Sequence, residues 1–310
     1  MQVFAVPSEG AAPTVLDIAR PEPGAGEILV RVKAASINGF DTAVAAGMLV
    51  GMMEHRYPVV LGKDFAGTVE ALGGGVDGFA VGDRVFGVVT RNFLGDGSLG
   101  QYVAVPASIG VAHTPEGVSD EDAAALGLAG VTALMAIEAA DLHDGSVVLV
   151  AGATGGVGTQ VVQRAARSGA TVLATARSGA AASLVESLGA TEVVDHSGDV
   201  AAAVLRSHPT GVDVVVHLAG DAAALAPALA DGGRFVSALL MSPEQLPLEH
   251  GTVVPVSAVP TQQALDAVAG AHADGSLRIP VDHVYPLADA AAAFAQFGTS
   301  KLGKIVVTVA

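Results

Sequence analysis

Beyond Pro115 the chain alternates between two kinds of segment, and this alternation limits its possible folds more than any other feature. "SVVLVAG", "TVLATA", "TEVVDH", "VDVVVHLAG" and "RFVSALL" are short, continuously apolar and rich in β-branched residues. Such runs are expected of strands covered on both faces. Between them, residues 157–167, 180–188, 200–207 and 222–230 have helical character. Strands that alternate with helices in this way build a parallel sheet wrapped by the helices. A longer helix comes first, in "SDEDAAALGLAGVTALMAIEAA". Ser119 is its natural N-cap, and Asp120, Glu121 and Asp122 meet the positive end of the helix dipole.

The region up to about Thr114 reads differently. "EILVRVKAASI", "FAGTVEALG", "GDRVFGVV" and "GQYVAVP" are short β-like runs broken by loops such as "PEPGAGE" and "GGGVDGFAVGD". That pattern predicts an all-β unit. The last thirty or so residues revert to it, with one helix in "HVYPLADAAAAFAQFG" and a final strand in "GKIVVTV". A chain of 310 residues, 51% hydrophobic and 15% charged, is long and apolar enough for two folded domains.

The first crossover carries a glycine turn. "SVVLVAGATGGVGTQ" puts Ala153, Gly155 and Gly158 at the three positions of a G-x-G-x-x-G motif, with Ala in the first place. Gly155 then lets backbone approach a pyrophosphate, and Gly158 lets the helix close on the strand. The amides of Gly156 and Val157, at the helix N-terminus, face the phosphates. In such a site the second strand usually ends in an acid that binds the ribose hydroxyls. Here that place falls near Ala176, followed by Arg177 and Ser178. A guanidinium and a hydroxyl suit a 2′-phosphate, so the expected cofactor is NADP(H). A solvated surface arginine is the other reading of Arg177. The end of "VVVHLAG" should bring Leu218, Ala219 and Gly220 to the nicotinamide ribose. His217 either joins that surface or packs as a neutral side chain.

Charge and cysteine count narrow the function further. Fifteen Lys and Arg against 31 Asp and Glu give a net charge of −16, which argues against nucleic acid as a partner. With no cysteine, disulfides and thiolate metal sites are excluded. "MQVFAVPSEG" lacks the basic start and apolar run of a signal peptide. Apolar stretches such as Val147–Ala151 are too short to span a bilayer. The expectation is a soluble, cytoplasmic protein without a membrane partner.

Several longer stretches resemble a known family. "AGVTALMAI" and "DGSVVLVAGATGGVGTQVVQRAARSGATVLATA" are similar to the medium-chain dehydrogenase/reductase superfamily, in its zinc-free quinone oxidoreductase and enoyl reductase branch. "AASINGFDTAVAAG", "LGKDFAGTVEALGGGVDGFAVGDRVFG", "GSLGQYVAVPA", "DGGRFVSAL" and "GKIVV" fall in the family's order. The resemblance implies a GroES-like β domain of residues 1–116, completed by 279–310. It implies a Rossmann domain, a doubly wound parallel sheet, over 117–278. It also implies a homodimer joined through an edge strand, for which "TVVPVSAV" at 252–259 is the candidate. Zinc-dependent members carry Cys in the region of Asn38, a His-Glu pair near Lys63 and Asp64, and a lobe of four cysteines. With no cysteine and no clustered histidines, no metal is expected.

The same resemblance assigns residues. Asn38 of "INGFD" would lie by the nicotinamide ribose or the substrate, with Asp41 as the structural acid of that turn. Thr132 of "AGVTA" would contact the cofactor, and Asn38 and Thr132 are the catalytic candidates. His196 stands where relatives often carry Tyr beside the adenosine phosphate, and Lys304 of "GKIVV" is counted with the cofactor contacts. Relatives often have Tyr shortly after the Asn-Asp turn, where this chain has Ala43 and Val44. The proton donor is therefore open between His55, Tyr57, Lys63, Tyr102 and solvent. Met48, Met52 and Met53 either cover a flat apolar acceptor or fill core. Met48, Met52, His55, Tyr57 and Lys63 make up the expected acceptor pocket. Without a metal, the fitting reaction is hydride transfer from NADPH to a quinone or an α,β-unsaturated carbonyl. The protein would position the partners and stabilise the oxyanion. The alternatives are a tailoring enoyl or ketone reductase of a secondary-metabolite pathway and a non-catalytic NADPH-binding structural or regulatory protein.

Overall fold

The structure is a computed structural model and describes residues 1–299 and 301–310. The frequent glycines and prolines of the first third cut it into short strands. These begin with β1 (Gln2–Val6), β2 (Thr14–Asp17) and β3 (Glu27–Ser36), followed by helix α1 (Gly39–Ala45). Next come β4 (Glu54–His55), β5 (Val59–Val60), β6 (Asp64–Leu72) and β7 (Arg84–Val88). The run ends in β8 (Phe93–Leu94), β9 (Tyr102–Pro106) and β10 (Val111–His113). Helix α2 (Asp120–Ala140) follows, and Ser119 Oγ accepts the Asp122 N–H at 3.0 Å, as its N-cap position requires.

The second part alternates as its pattern demands. It runs β11 (Val147–Ala151), α3 (Gly156–Arg167), β12 (Thr171–Thr175), α4 (Ala180–Ser187), β13 (Glu192–Val194) and α5 (Val200–Ser207). It continues with β14 (Val212–His217), α6 (Ala222–Leu225), β15 (Leu229–Ser237) and β16 (Thr252–Pro255). The chain closes with α7 (Gln262–Ala273), β17 (Val281–Pro286), α8 (Ala290–Phe297) and β18 (Lys304–Thr308).

Contacts divide the chain into one unit of Met1–Val131 with Pro260–Ala310 and another of Thr132–Val259. The changes of sequence pattern at 116 and 278 do not coincide with these divisions. Leu128, in the first half of α2, donates its N–H to Asp64 Oδ1 of β6. Pro260 accepts from Gly110, and α7 packs Val268 against Gly130. Both segments therefore belong to the β unit.

In that unit the main sheet has the order β10-β7-β6-β3-β18-β17, with β9 also on β3. At its centre β3 runs antiparallel to β6, ending in the pair Ser36↔Asp64. β18 lies antiparallel on the other side of β3, with Val306 opposite Ser36. Phe4, Ile28, Leu61, Phe65, Leu99 and Ile305 form the centre of the core. "HVYP", expected to lead into a helix, is the end of strand β17, parallel to β18. Pro286 holds Tyr285 extended, and the helical turns start only beyond it.

The second unit is one six-stranded parallel sheet in the order β13-β12-β11-β14-β15-β16. This is the doubly wound arrangement, with the strand order reversing between β11 and β14. The helix expected over 222–230 stops at Leu225, because Pro227 turns the chain through a short 3₁₀ segment into β15. β16 is an edge strand, which is the place expected of "TVVPVSAV". Among the described residues α2 is long and apolar enough to cross a bilayer, contrary to the expectation that every apolar run is too short. It is nonetheless a helix mostly buried in the fold, with 67% of its apolar window inside.

Candidate functional site

The glycine turn of the parallel-sheet unit starts one residue earlier than its spacing suggested. Gly152 has φ +90°, and a Cβ there would lie 3.0 Å from the Ala219 Cβ. Its position is thus the tight-turn glycine, and Ala153 is a buried residue behind it. A Cβ on Gly158 would stand 2.1 Å from Gly152 O, so only glycine lets α3 close on the turn. Gly155 precedes α3 as its N-cap, and a Cβ there would meet nothing nearer than 3.5 Å. No clash within the fold requires it, which leaves room for a group approaching from outside. Gly156 and Val157 open the helix, where the first amides lack intrahelical acceptors. Thr175 ties the turn to β12 by accepting the Gly152 N–H at 2.9 Å and donating to Val150 O at 3.3 Å.

Ala176 is buried and extends the ladder by donating its N–H to Val194 O. Arg177, Ser178 and His196 are exposed beyond it. The sequence reading missed Asp195 in the same place. The backbone and hydroxyl of Ser197 hold its carboxyl below the usual range, and His196 and Arg177 add to the effect. This rim of the parallel-sheet unit therefore carries an anion beside the Arg177 guanidinium.

His217 is packed rather than available. Gly220 O lies 3.1 Å from Nε2, and Ser237 Oγ lies 2.9 Å from Nδ1. Ser237 Oγ accepts the N–H groups of Leu239 and Leu240. A neutral ring with its proton on Nε2 satisfies this whole set. His217 thereby fixes the turn of Leu218, Ala219 and Gly220, of which the last two are exposed. Thr132 is buried in α2.

In the β unit, four elements meet around one carboxylate. Asp64, at the start of β6, is fully buried. Its Oδ2 accepts from Ser36 Oγ at 2.6 Å, Asn38 Nδ2 at 2.8 Å and Lys304 Nζ at 3.2 Å. Lys304, expected among the cofactor contacts, also donates to Asn38 Oδ1 at 2.7 Å and to Ile37 O at 3.3 Å. Its three donor hydrogens thus have three protein acceptors, and its ammonium positions Asn38 instead of touching a ligand. Asn38 is gripped at both ends of its amide, with its second Nδ2 hydrogen facing only a 3.5 Å contact to Ser36 O. Asp41 accepts the Asn38 N–H at 2.8 Å. Burial, aided by the charge of Asp64, pushes the Asp41 carboxyl up to about 7.

The expected acceptor pocket is divided. His55 and Tyr57 stack at 5.9 Å and line a cavity of about 100 Å³ with Val44, Gly47 and Val50. His55 Nδ1 meets Met53 O at 2.8 Å, while its Nε2 is buried without a partner among the described residues. Lys63 lines a separate cavity of about 20 Å³ with Phe40, Asp41, Arg91, Phe93 and Asp96. Val44 and Val59 border both cavities. Met48 and Met52 are 69% and 71% exposed, so they do not fill core, whereas Met53 packs on the core. Tyr102 lies under Arg20, 4.0 Å from its guanidinium, in a surface cluster.

Zinc does not fit this donor set. A zinc site takes about three protein ligands with free lone pairs in tetrahedral array. Asn38 Oδ1 is bound by an ammonium, both oxygens of Asp64 carry donors, and Lys63 is itself a cation. Among the described residues no group of three His, Cys, Asp or Glu could hold a metal. The Lys304 ammonium supplies the positive charge beside Asp64.

A GroES-like β unit with a doubly wound parallel-sheet unit, joined to a glycine turn, defines a class of nicotinamide-dependent oxidoreductases. Residues 24–116 match the alcohol dehydrogenase GroES-like domain, and residues 188–307 match the zinc-binding dehydrogenase family. The chain is 30% identical over 305 residues to the chloroplast envelope quinone oxidoreductase homolog of Arabidopsis thaliana, covering 93% of this chain and 91% of that protein. It is 34% identical to a mycocerosic acid synthase-like polyketide synthase of Mycolicibacterium smegmatis, covering 94% of this chain but only 14% of that much longer protein. The structure of the quinone oxidoreductase from Coxiella burnetii is similar with a TM-score of 0.86 at 26% identity, covering 100% of this chain and 98% of that one. The chain belongs to the medium-chain dehydrogenase/reductase family and is an oxidoreductase of it.

Proposed function

We propose that this protein is an NADPH-dependent, zinc-independent reductase of quinones or α,β-unsaturated carbonyls. The observation that carries the reading is the pairing of a buried Ala176 with exposed Arg177 and Ser178 after β12. An acid there would repel a 2′-phosphate, while a guanidinium and a hydroxyl attract one. His196 stands on the neighbouring strand end. Gly155, Gly156 and Val157 would hold the pyrophosphate, and Leu218, Ala219 and Gly220 the nicotinamide ribose. Bound NADPH supplies the hydride. Thr132 and Asn38 orient the reacting groups, Asn38 through an amide that Lys304 and Asp64 hold in one position. Fixed placement of this kind lowers the barrier without a metal.

The polyketide synthase relatives favour a second reading, an enoyl reductase acting on a bulkier secondary-metabolite acceptor. The edge position of β16 supports a homodimer joined there. The deciding experiment measures NADPH and NADH oxidation with a panel of quinones and enones, before and after chelation. Deuterium from C4 of the cofactor should reach the β-carbon of an enone. Deuterium at a carbonyl carbon would make the enzyme a ketone reductase. Binding of NADPH without oxidation by any acceptor would favour a non-catalytic role.

A further inference from the structure

Hydride addition to a quinone or enone leaves negative charge on the acceptor's oxygen, and a placed acid that delivers a proton there accelerates the step. The polar groups of the β unit differ in their fitness for this. Arg91 keeps its proton at any working pH and is engaged with Glu27 and Ala104 O. Tyr102 is covered by Arg20. His55 Nδ1 donates to Met53 O, and the ring lines the other cavity, apart from Lys63. Lys304 has acceptors for all its hydrogens.

Lys63 differs from each of these. Its Nζ donates to Val89 O at 2.6 Å, its one hydrogen-bond acceptor among the described residues, so two ammonium hydrogens remain available. It lies 5.0 Å from the Phe40 ring centroid and lines the cavity shared with Phe93 and Asp96. Asp41 of α1 and Asp64 of β6 flank it on the buried side, and Arg91 and Asp96 border its cavity.

We propose that Lys63 is the catalytic acid, its ammonium hydrogen-bonding the acceptor's oxygen and protonating it as hydride arrives. The assignment rests on the reductase reading above. The hydride brings two electrons and forms the new C–H bond, and the reduced nicotinamide is oxidised. The displaced π pair moves onto oxygen, an N–H bond of Lys63 breaks and an O–H bond forms. The product from an enone is an enol that tautomerises to the ketone, that from a quinone is a hydroxydienone that tautomerises to the hydroquinone, and water reprotonates the neutral amine. Burial lowers the Lys63 pKa, with Asp41 and Asp64 opposing, which makes its proton easier to release than that of an exposed lysine.

The test compares Lys63→Met, Lys63→Arg and Lys63→Ala with the wild-type enzyme, using the best acceptor of the panel. NADPH binding is read separately by fluorescence. Both Lys63→Met and Lys63→Arg should lose roughly 10²–10⁴-fold in kcat with NADPH affinity unchanged, because a guanidinium keeps the charge but holds its proton. Methylammonium should restore part of the turnover of Lys63→Ala. Wild-type kcat should fall as pH rises through an ionisation below the ~10.4 of ordinary lysine. Wild-type turnover in Lys63→Arg would reduce the role to charge alone and overturn the proposal. Unchanged kcat and pH profile in Lys63→Met would do the same. Should the variants not fold, a wild-type rate independent of pH up to that ordinary value overturns it. No wild-type turnover with any acceptor would defeat the reductase reading itself, an outcome separate from a fully active Lys63→Met.

Discussion

Arg177 and Asp195 show how much depends on single side chains at the rim of the parallel-sheet unit. Both are exposed, and the charge of Arg177 contributes to holding Asp195 ionised. Arg177→Ala should weaken NADPH binding roughly ten- to a hundredfold while changing NADH little, as expected for a lost hydrogen bond to a charged group. Equal losses for both cofactors, measured by fluorescence titration, would remove Arg177 from the 2′-phosphate site. In the β unit, Asp41 makes stability depend on pH. Its folded-state value of about 7 against an ordinary 3.8 means that the folded chain keeps a proton that the unfolded chain releases. This contribution is fully present below about pH 4 and is lost as pH rises to about 7, at no more than about 1.4 kcal/mol per pH unit. Asp41→Asn retains an acceptor for the Asn38 N–H and removes the titration. Urea unfolding at pH 5 and pH 8 should show the variant gaining on the wild type at the higher pH, and a constant difference would count against the raised value.

At the scale of elements, the glycine turn separates folding from binding. Gly158→Ala forces a Cβ to 2.1 Å from Gly152 O and should cost roughly 1–3 kcal/mol or more by pushing α3 off β11. Gly155→Ala meets only ordinary contact inside the fold, so the variant should unfold at the wild-type urea midpoint yet bind NADPH poorly. A shifted midpoint with intact binding would show that Gly155 serves the turn alone. The parallel strands and most of their helices were legible because burial on both faces leaves continuous apolar runs. Three elements were harder to read. α7 carries Ala264, Leu265, Val268 and Ala269 on its buried face, a weak stripe in an alanine-rich segment. α6 looked longer than it is because its alanines continue past Pro227. β17 is exposed along much of its length, and its pairing with β18, not its own pattern, makes it a strand.

For the whole molecule, the decisive arrangement is the meeting of β3, α1, β6 and β18 around Asp64. Lys304 and Asp64 are 3% and 0% exposed, so removing one charge leaves the other buried and uncompensated. Lys304→Met should therefore cost about 3–5 kcal/mol in urea unfolding, far more than a surface pair would. A loss below about 1 kcal/mol would mean that water reaches Asp64. The sequence by itself determined the two kinds of domain, the glycine turn between β11 and α3, and the exclusion of thiolate metal ligands. All of these follow from local periodicity, local backbone freedom or composition, which neighbouring residues express without help. Only the tertiary structure decided that Lys304 holds Asn38 and that Lys63 and His55 line different cavities. Asn38 lies 26 residues from Asp64, and Lys304 lies 240 residues from it. Their contact depends on β18 and β6 flanking β3 in one register, and a side chain's polar partners are set by that pairing, which periodicity does not encode.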